Sequence, residues 1–459
     1  MPDVDAMLGG WQRWRVLQGD VFSVLPTLPP GSVDCCVTSP PYWQLRSYLP
    51  KDDPLKPFEI GAERTPQEYV EQMVRVFDLV KTALADHGTC WVNIGDTYCD
   101  DSKHGGATSG KHVRALHGSE LVYRDKKTTG IPAGNMALIP QRLAIALQDA
   151  GWVVRSVVVW AKPAPMPASL FGWRWERCRK KVSRQKLRTD SASHRISAEG
   201  MPNGKPHTVN ASWLAEWTIC AGCEKCAANA GYILRRGSWR PTSSWEPILM
   251  LAKSQRYFAD GEAVKTPPAE ATISRDQYTR ILDDDDEQFA VRHDHETICD
   301  GANLRDVWRI GAEPLAEKHY AAFPTELVLR CLKAGTSAHG YCAGCGKPWT
   351  RKIDVKTVAH PSPASAGLRP EVNRRGGAQA NGSANLAPEV KTLGWLPSCL
   401  CVADVRSGLV LDPFCGSGRT GITARRLGLN FVGVELNPAY VGMSERLITD
   451  DSPLFNGAP

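Results

Sequence analysis

Residues 37 to 48, VTSPPYWQLRSY, place two adjacent prolines straight after a run of strand character and follow them with two aromatics. Pro40 and Pro41 carry no backbone N–H and stiffen the turn, so carbonyl oxygen is offered without a competing donor. Ser39 adds an acceptor, while Tyr42 and Trp43 add ring faces. A turn of this kind presents acceptor oxygens and ring faces together. A second segment, LVLDPFCGSGRTG at 409 to 421, ends an apolar run in Asp412 and turns through Gly416, Ser417 and Gly418 into helix-forming sequence. Such glycines let the backbone approach a ligand closely at the carboxyl edge of a parallel sheet, where α/β proteins bind nucleotides. Gly416, Gly418 and Gly421 satisfy GxGxxG, and Glu435 ends the next apolar run, placed to accept from ribose hydroxyls. A dinucleotide site is the obvious rival, but only 24 residues follow Glu435, too few for the second half of such a fold. A ligand with one ribose fits better.

The cysteines offer different chemistry. There are fifteen, several in CxxC or CxC pairs, and the first residues, MPDVDAMLGGWQRW, lack the basic start and apolar run of a secretory leader. No uninterrupted membrane-length apolar stretch occurs either, so a cytoplasmic location is expected and metal is a better reading than a disulfide framework. Cys342 and Cys345, with Cys399 and Cys401, give two pairs of thiolates, the ligand set of a structural zinc. The 53-residue spacer between the pairs costs little, because loop closure grows only logarithmically with length. Cys220, Cys223 and Cys226 form a tight CxxCxxC that needs a fourth ligand; Cys178 is the choice, ahead of His194 and His207. Two structural zinc ions are therefore expected.

These residues need elements to position them. The composition, 42% hydrophobic and 23% charged over 459 residues, allows one large or two ordinary globular domains. The formal charge of +6 is only a modest hint toward a polyanionic partner. Residues 14 to 20, 32 to 38, 88 to 96 and 152 to 163 read as strands, and 65 to 86 and 136 to 151 as helices, so β-then-α units predict a mostly parallel sheet covered on both faces. Tyr69, Val70, Met73, Val74, Phe77, Val80 and Leu84 form the apolar stripe of the first helix. Residues 99 to 130 read as a mobile loop. The basic, tryptophan-bearing insertion at 171 to 240 holds the first cysteine cluster, and the segment 337 to 407 holds the second around a Pro, Gly, Ala and Ser-rich middle expected to be disordered.

Taken together, TSPPYW and DPFCGSG resemble the catalytic and S-adenosylmethionine-binding motifs of DNA amino-methyltransferases, and their order along the chain resembles the permuted β class of these enzymes. The likeness extends through LQGD, LIPQRLAIALQDAGWVVRSVVVWAKP, SWEPILMLAKSQRYFAD and KHYAAFPTELVLRCLKAG. Arg419 departs from it, since the family more often has threonine there; altered phosphate or DNA contacts are expected from the change. The resemblance implies a Rossmann-like α/β fold with a seven-stranded, mostly parallel sheet and S-adenosylmethionine as cofactor. It implies that Asp412, Phe414, Gly416 and Gly418 hold the cofactor's methionine end, Glu435 its ribose and Asp20 its adenine amino group, while Phe323, Pro324 and Thr325 close the pocket. Ser39, Pro40, Pro41 and Tyr42 would be the catalytic set, acting on a base flipped out of double-stranded DNA.

Methylation at carbon 5 of cytosine is set aside, because its Pro-Cys nucleophile is absent: no cysteine follows a proline. Ser39 leans toward cytosine N4, with adenine N6 as the alternative; an inactive zinc-dependent nucleic-acid binder and an NAD oxidoreductase are more distant readings. The expected organisation is a catalytic half at 1 to 170, the cysteine insertion at 171 to 240, a return strand at 241 to 260 and target recognition at 261 to 318. The cofactor half takes 319 to 336 and 408 to 459, with the zinc-ribbon-like insertion at 337 to 407. A cognate restriction endonuclease is a possible partner.

Overall fold

The computed structural model describes residues 13–45, 47–50, 52–99, 130–132, 134–164, 171–186, 213–266, 303–313, 323–360 and 385–451. Residues 100 to 129 of the mobile loop expected at 99 to 130, most of the recognition segment (267 to 302), His194, His207 and the small-residue stretch at 361 to 384 lie outside these residues. The chain divides into two compact units, one made of Met1–Ala164 with Trp245–Pro459, the other of Pro165–Ser244.

The strands in chain order are β1 (Trp14–Gln18), β2 (Val33–Thr38), β3 (Leu84–Asn93), β4 (Val153–Ala161), β5 (Phe171–Arg177), β6 (Arg179–Lys186), β7 (Trp213–Ile219) and β8 (Tyr232–Trp239). They continue with β9 (Trp245–Ala252), β10 (Val307–Arg309), β11 (Tyr341–Cys342), β12 (Trp349–His360), β13 (Asn385–Pro397), β14 (Val405–Arg406), β15 (Leu409–Asp412) and β16 (Asn430–Glu435). The principal helices are α1 (Pro66–Ala83), α2 (Ile139–Asp149), α3 (Thr325–Gly335), α4 (Arg419–Arg426) and α5 (Pro438–Asp450).

The larger unit is built on an eight-stranded sheet in the order β1-β16-β15-β2-β3-β9-β4-β10. Only β9 runs antiparallel to its neighbours, β3 and β4. The expected count of seven is thus one short. The extra strand, β10, pairs parallel with β4 from inside the segment assigned to target recognition. Three residues are too few to show a period of two, and β10 is anchored by one buried ring, that of Trp308.

Every residue of β2, VDCCVT, is buried, as befits a central parallel strand covered on both faces. One face packs under α1 and α2 through Met73, Phe77, Val80, Leu143 and Leu147. The other packs under α3, α4 and α5 through Leu327, Val328, Cys331, Ile422 and Ile448. The start of α1 is fixed by a capping box in which the Thr65 side chain accepts from Glu68 N and the Glu68 side chain accepts from Thr65 N, with Pro66 at the first position. The helix ends at Ala83 rather than near 86, because Leu84 is already extended and opens β3. Its buried stripe accordingly includes Val76, while Val74 is only half-buried.

The described part of the smaller unit holds two antiparallel pairs, β5 with β8 and β6 with β7, and the short helix Glu224–Ala227. In the larger unit, β12 and β13 form a twelve-pair antiparallel ribbon running from Trp349↔Pro397 to His360↔Asn385. This ribbon extends further into the second insertion than its composition suggested.

Candidate active site

The parallel strands all deliver their carboxyl ends to one edge of the sheet, the place where open α/β sheets bind ligands. There a cleft of about 1020 Å³, measured out to its open mouth, is lined by Asp20, Ser39, Pro40, Pro41, Tyr42, Phe323, Phe414, Gly416 and Glu435 among others. The two motifs read from the sequence therefore meet on one wall. Pro324, Thr325, Asp412 and Gly418 are not among its lining residues.

Asp412 is a brace. It is 1% exposed, its Oδ1 accepts from Thr38 Oγ1 at 2.7 Å and from Phe414 N at 3.1 Å, and its Oδ2 accepts from Thr420 Oγ1 at 2.7 Å. Burial pushes its carboxyl up to about 6, against the opposing pull of these three donors. Because Thr38 immediately precedes Ser39, the brace fixes the proline turn relative to the glycine turn. The sequence marked Asp412 for the ligand, and the structure adds this role between the two turns. Gly418 likewise serves packing: at φ +78° a side chain is strained, and a Cβ would stand 3.0 Å from that of Ser444 on α5. Gly416, at φ +52°, does face the cleft.

Glu435 closes β16. Its Oε2 accepts from Gly416 N at 2.8 Å and its Oε1 from Asn437 N at 2.8 Å, so the glycine turn is shaped around this carboxylate. Burial raises it to about 7 even so. Gly19 N donates to the Glu435 carbonyl at 2.9 Å, bringing Asp20 alongside; Asp20 caps the short turn Val21–Val24 through Ser23 N at 3.0 Å. Thr325 N and Oγ1 donate to Glu313 Oε2 at 2.7 and 2.8 Å, and the Glu313 Oε1 pairs with Arg419.

The catalytic-type turn is held from behind. Trp43 is 1% exposed and its Nε1 donates to the Glu63 carbonyl at 3.0 Å, while Tyr69 OH donates to the Pro41 carbonyl at 2.8 Å. The Tyr42 hydroxyl donates to Glu246 Oε2 at 2.8 Å and lies 3.1 Å from Asn93 Oδ1. Burial, and then Glu246, push that phenol well above its ordinary range, so it stays a neutral donor. Lys162 pairs with the other Glu246 oxygen. One side of the Tyr42 ring rests on Gly95, where a Cβ would come within 2.4 Å of Cε2. Asn93, Gly95, Lys162, Glu246 and Glu313 were not singled out from the sequence. The available signal was the same one that marked Asp412 and Glu435, polar residues at the ends of apolar strands, and it applies equally to Asn93, Lys162 and Glu246.

Both cysteine groups assemble. The sulfurs of Cys178, Cys220, Cys223 and Cys226 lie within 4.8 Å of one another, and so do those of Cys342, Cys345, Cys399 and Cys401. Four convergent thiol groups with no competing nitrogen or oxygen donor fit a tetrahedral zinc. In the first group, hydrogen bonding from Cys226 lowers the Cys223 thiol to about 7; in the second, the backbone at Cys345 lowers Cys342 to about 7. The second group is also wired to the sheet. β11 and β14 pair across it, and Arg406 of β14 makes a two-pronged contact with the buried Asp34 of β2, at 2.7 and 3.2 Å. Asp34 also accepts from Leu409 N at 2.8 Å and faces His87 Nε2 at 3.1 Å.

The family model described as DNA methylase matches residues 33–343 and 401–446 of this chain. The chain is 26% identical over 439 residues to the Type II methyltransferase M.Cfr9I of Citrobacter freundii, covering 95% of this chain and 88% of that protein. It is 25% identical over 433 residues to the Type II methyltransferase M.XycI of Xanthomonas campestris pv. cyanopsidis, covering 94% and 85%. Among solved structures, the cytosine-N4-specific PvuII DNA methyltransferase aligns with a TM-score of 0.41 and 14% identity, over 97% of this chain and 93% of that one.

Proposed function

Since the chain belongs to the DNA methylase family of N6 and N4 amino-methyltransferases, we propose that it moves a methyl group from S-adenosylmethionine to cytosine N4 in double-stranded DNA. The observation that carries this reading is the single cleft on which the TSPPY turn and the glycine turn meet, locked in register by Thr38 and Asp412. Glu435 would hold the cofactor's ribose, Asp20 its adenine amino group, and Phe414, Gly416 and Phe323 its remaining surface. Bound there, S-adenosylmethionine supplies a methyl group on a positively charged sulfur, which an amine can take directly.

The chain's own residues supply the rest. An exocyclic amine is a poor nucleophile because its lone pair is delocalised into the ring. Ser39 and the Pro40 carbonyl accept from the two amino hydrogens, and the absence of N–H on the prolines leaves nothing to compete for the lone pair. Tyr42 offers the ring face not resting on Gly95 for stacking. Its hydroxyl is tied to Glu246, so the ring is held before the base arrives, and ordering it then costs little. Flipping the base costs a few kcal/mol, which stacking and edge contacts must offset. Ser39 at the first motif position favours cytosine over adenine by resemblance to the family.

The relatives are Type II methyltransferases, so we place this chain beside a cognate endonuclease reading the same duplex site. No helix among the described residues is long and apolar enough to cross a membrane. The two cysteine groups would each hold one structural zinc. Elemental analysis of folded protein should return two zinc ions per chain, and a value near zero would remove this part of the reading.

Duplex DNA incubated with the protein and labelled S-adenosylmethionine, then digested to nucleosides, should yield N4-methylcytosine by mass spectrometry. N6-methyladenine would overturn the base assignment alone. Finding 5-methylcytosine, or full activity in Tyr42→Ala, would overturn the mechanism. Loss of the stacking ring is expected to cost roughly 1 to 3 kcal/mol. That is at least about a fivefold fall in methyl transfer with cofactor affinity retained.

A further inference from the structure

Arg419 opens α4, directly after the glycine turn, and its side chain is only 8% exposed. A buried guanidinium at a helix N-terminus is poorly placed by itself, since the helix dipole and the free N–H groups already make that end positive. It therefore needs anionic company. Glu313 provides some: one of its oxygens pairs with Arg419 and the other accepts from both the N–H and the hydroxyl of Thr325. This arrangement holds Arg419, which lines the cleft, through its guanidinium.

The charges around it are one-sided. Among the described residues lining the cleft, Arg419 is the one cation, whereas Asp20, Glu59 and Glu435 are acids. A ligand carrying one carboxylate would find its one cationic partner among the described lining residues at that place. Resting on the reading above, that the cleft takes S-adenosylmethionine, we infer that Arg419 binds the α-carboxylate of the cofactor's methionine part and that Glu313 is the positioning residue that aims it. This gives the departure at 419 a task at the cofactor, in place of the phosphate or DNA contact expected from the sequence. It also makes Arg419 a specificity residue: the cleft should demand the carboxylate.

The test is calorimetric binding of S-adenosylmethionine and of its decarboxylated analogue, which keeps adenosine, sulfonium and amine. The wild-type protein should prefer the carboxylated ligand by about 10- to 100-fold, the range for a hydrogen bond to a charged group. Arg419→Met should abolish that preference while changing the analogue's affinity by less than about threefold, a threshold well under one tenfold step. Glu313→Gln should reduce the preference partially. Equal binding of the two ligands by wild type would overturn the inference without any variant. So would a loss of affinity in Arg419→Met that falls equally on both ligands, the mark of a merely structural role. Should Arg419→Met fail to fold, by melting temperature, an unchanged preference in folded Glu313→Gln together with the wild-type comparison decides it. Failure of folded wild-type protein to bind S-adenosylmethionine at all would instead strike the underlying reading.

Discussion

The two cysteine groups are alike in ligand set and opposite in setting. Cys178, Cys220, Cys223 and Cys226 belong to the smaller unit, Pro165–Ser244, and their buried neighbours are one another and Ile233. Cys342, Cys345, Cys399 and Cys401 belong to the larger unit, and a few residues along from them Arg406 reaches the buried Asp34 near the start of the strand that ends at the catalytic-type turn. The same ligand set thus lies within a separate unit in one case and beside a contact to a central strand in the other. A metal site is informative about function only through what its ligands are joined to.

The largest effect should come from breaking the second group. Cys342→Ser with Cys345→Ser is expected to abolish both methyl transfer and cofactor binding, because β11, β14 and the Arg406 contact lose their anchor. The matching pair Cys220→Ser and Cys223→Ser should leave cofactor affinity near wild type by calorimetry. Loss of cofactor binding in both pairs alike would erase the distinction. Next in size, Arg406→Met leaves Asp34 buried and short of its two-pronged partner, which should cost about 3 kcal/mol in urea unfolding. A cost below about 0.5 kcal/mol, the level of an ordinary surface change, would show that the link from knuckle to strand carries no load.

A carboxylate away from both knuckles separates stability from assembly. Glu435 is raised to about 7 in the folded protein, so between its ordinary value near 4 and about 7 the folded state keeps a proton that the unfolded chain has released. Its contribution to stability is therefore full at acid pH and falls as pH rises through that window. Glu435→Gln should flatten the fall in melting temperature between about pH 5 and about pH 8, with zinc content unchanged. An unaltered slope would show that the proton is held elsewhere. The smallest effect is expected from Tyr42→Phe, which keeps the ring against Gly95 and loses only the bond to Glu246. A decrease in methyl transfer of about twofold, equivalent to about 0.5 kcal/mol, with metal content and cofactor affinity unchanged, is the expected result. A drop as large as that of Tyr42→Ala would show that the hydroxyl, and not the ring, matters most.

Much of the frame was legible because it is local. Apolar runs ending in acids gave β15 and β16, the apolar stripe gave α1, and glycine spacing gave the turn between β15 and α4. What escaped depends on partners distant in sequence. Asp34 reads as a stray charge in VDCCVT until Arg406 is beside it, and Glu313 as one of many acids in a polar stretch until Thr325 and Arg419 bind it. The eighth strand was invisible for a different reason, having three residues and one buried ring. The twelve-pair ribbon was hidden by composition: Thr357↔Pro388 and Lys356↔Glu389 do not look like strand sequence. The family match also stops at 343 and resumes at 401, so this ribbon is an elaboration of the shared frame.

The bond between Thr38 and Asp412 joins residues 374 positions apart, and Asp34 waits 372 positions for Arg406. At ribosomal rates of about 5 to 20 residues per second, the TSPPY turn leaves the ribosome roughly 20 to 75 s before the segment that sets its register exists. During that interval β2 can pair with β3 but has neither β15 on its other side nor Arg406 for its buried acid, so an apolar strand must stay soluble with one edge open. Such late-closing topologies fold slowly, because loop closure is paid before any contact rewards it. The protein's vulnerable moment is therefore its birth: its yield in a cell should respond to chaperone supply and growth temperature more steeply than the stability of the finished molecule would suggest.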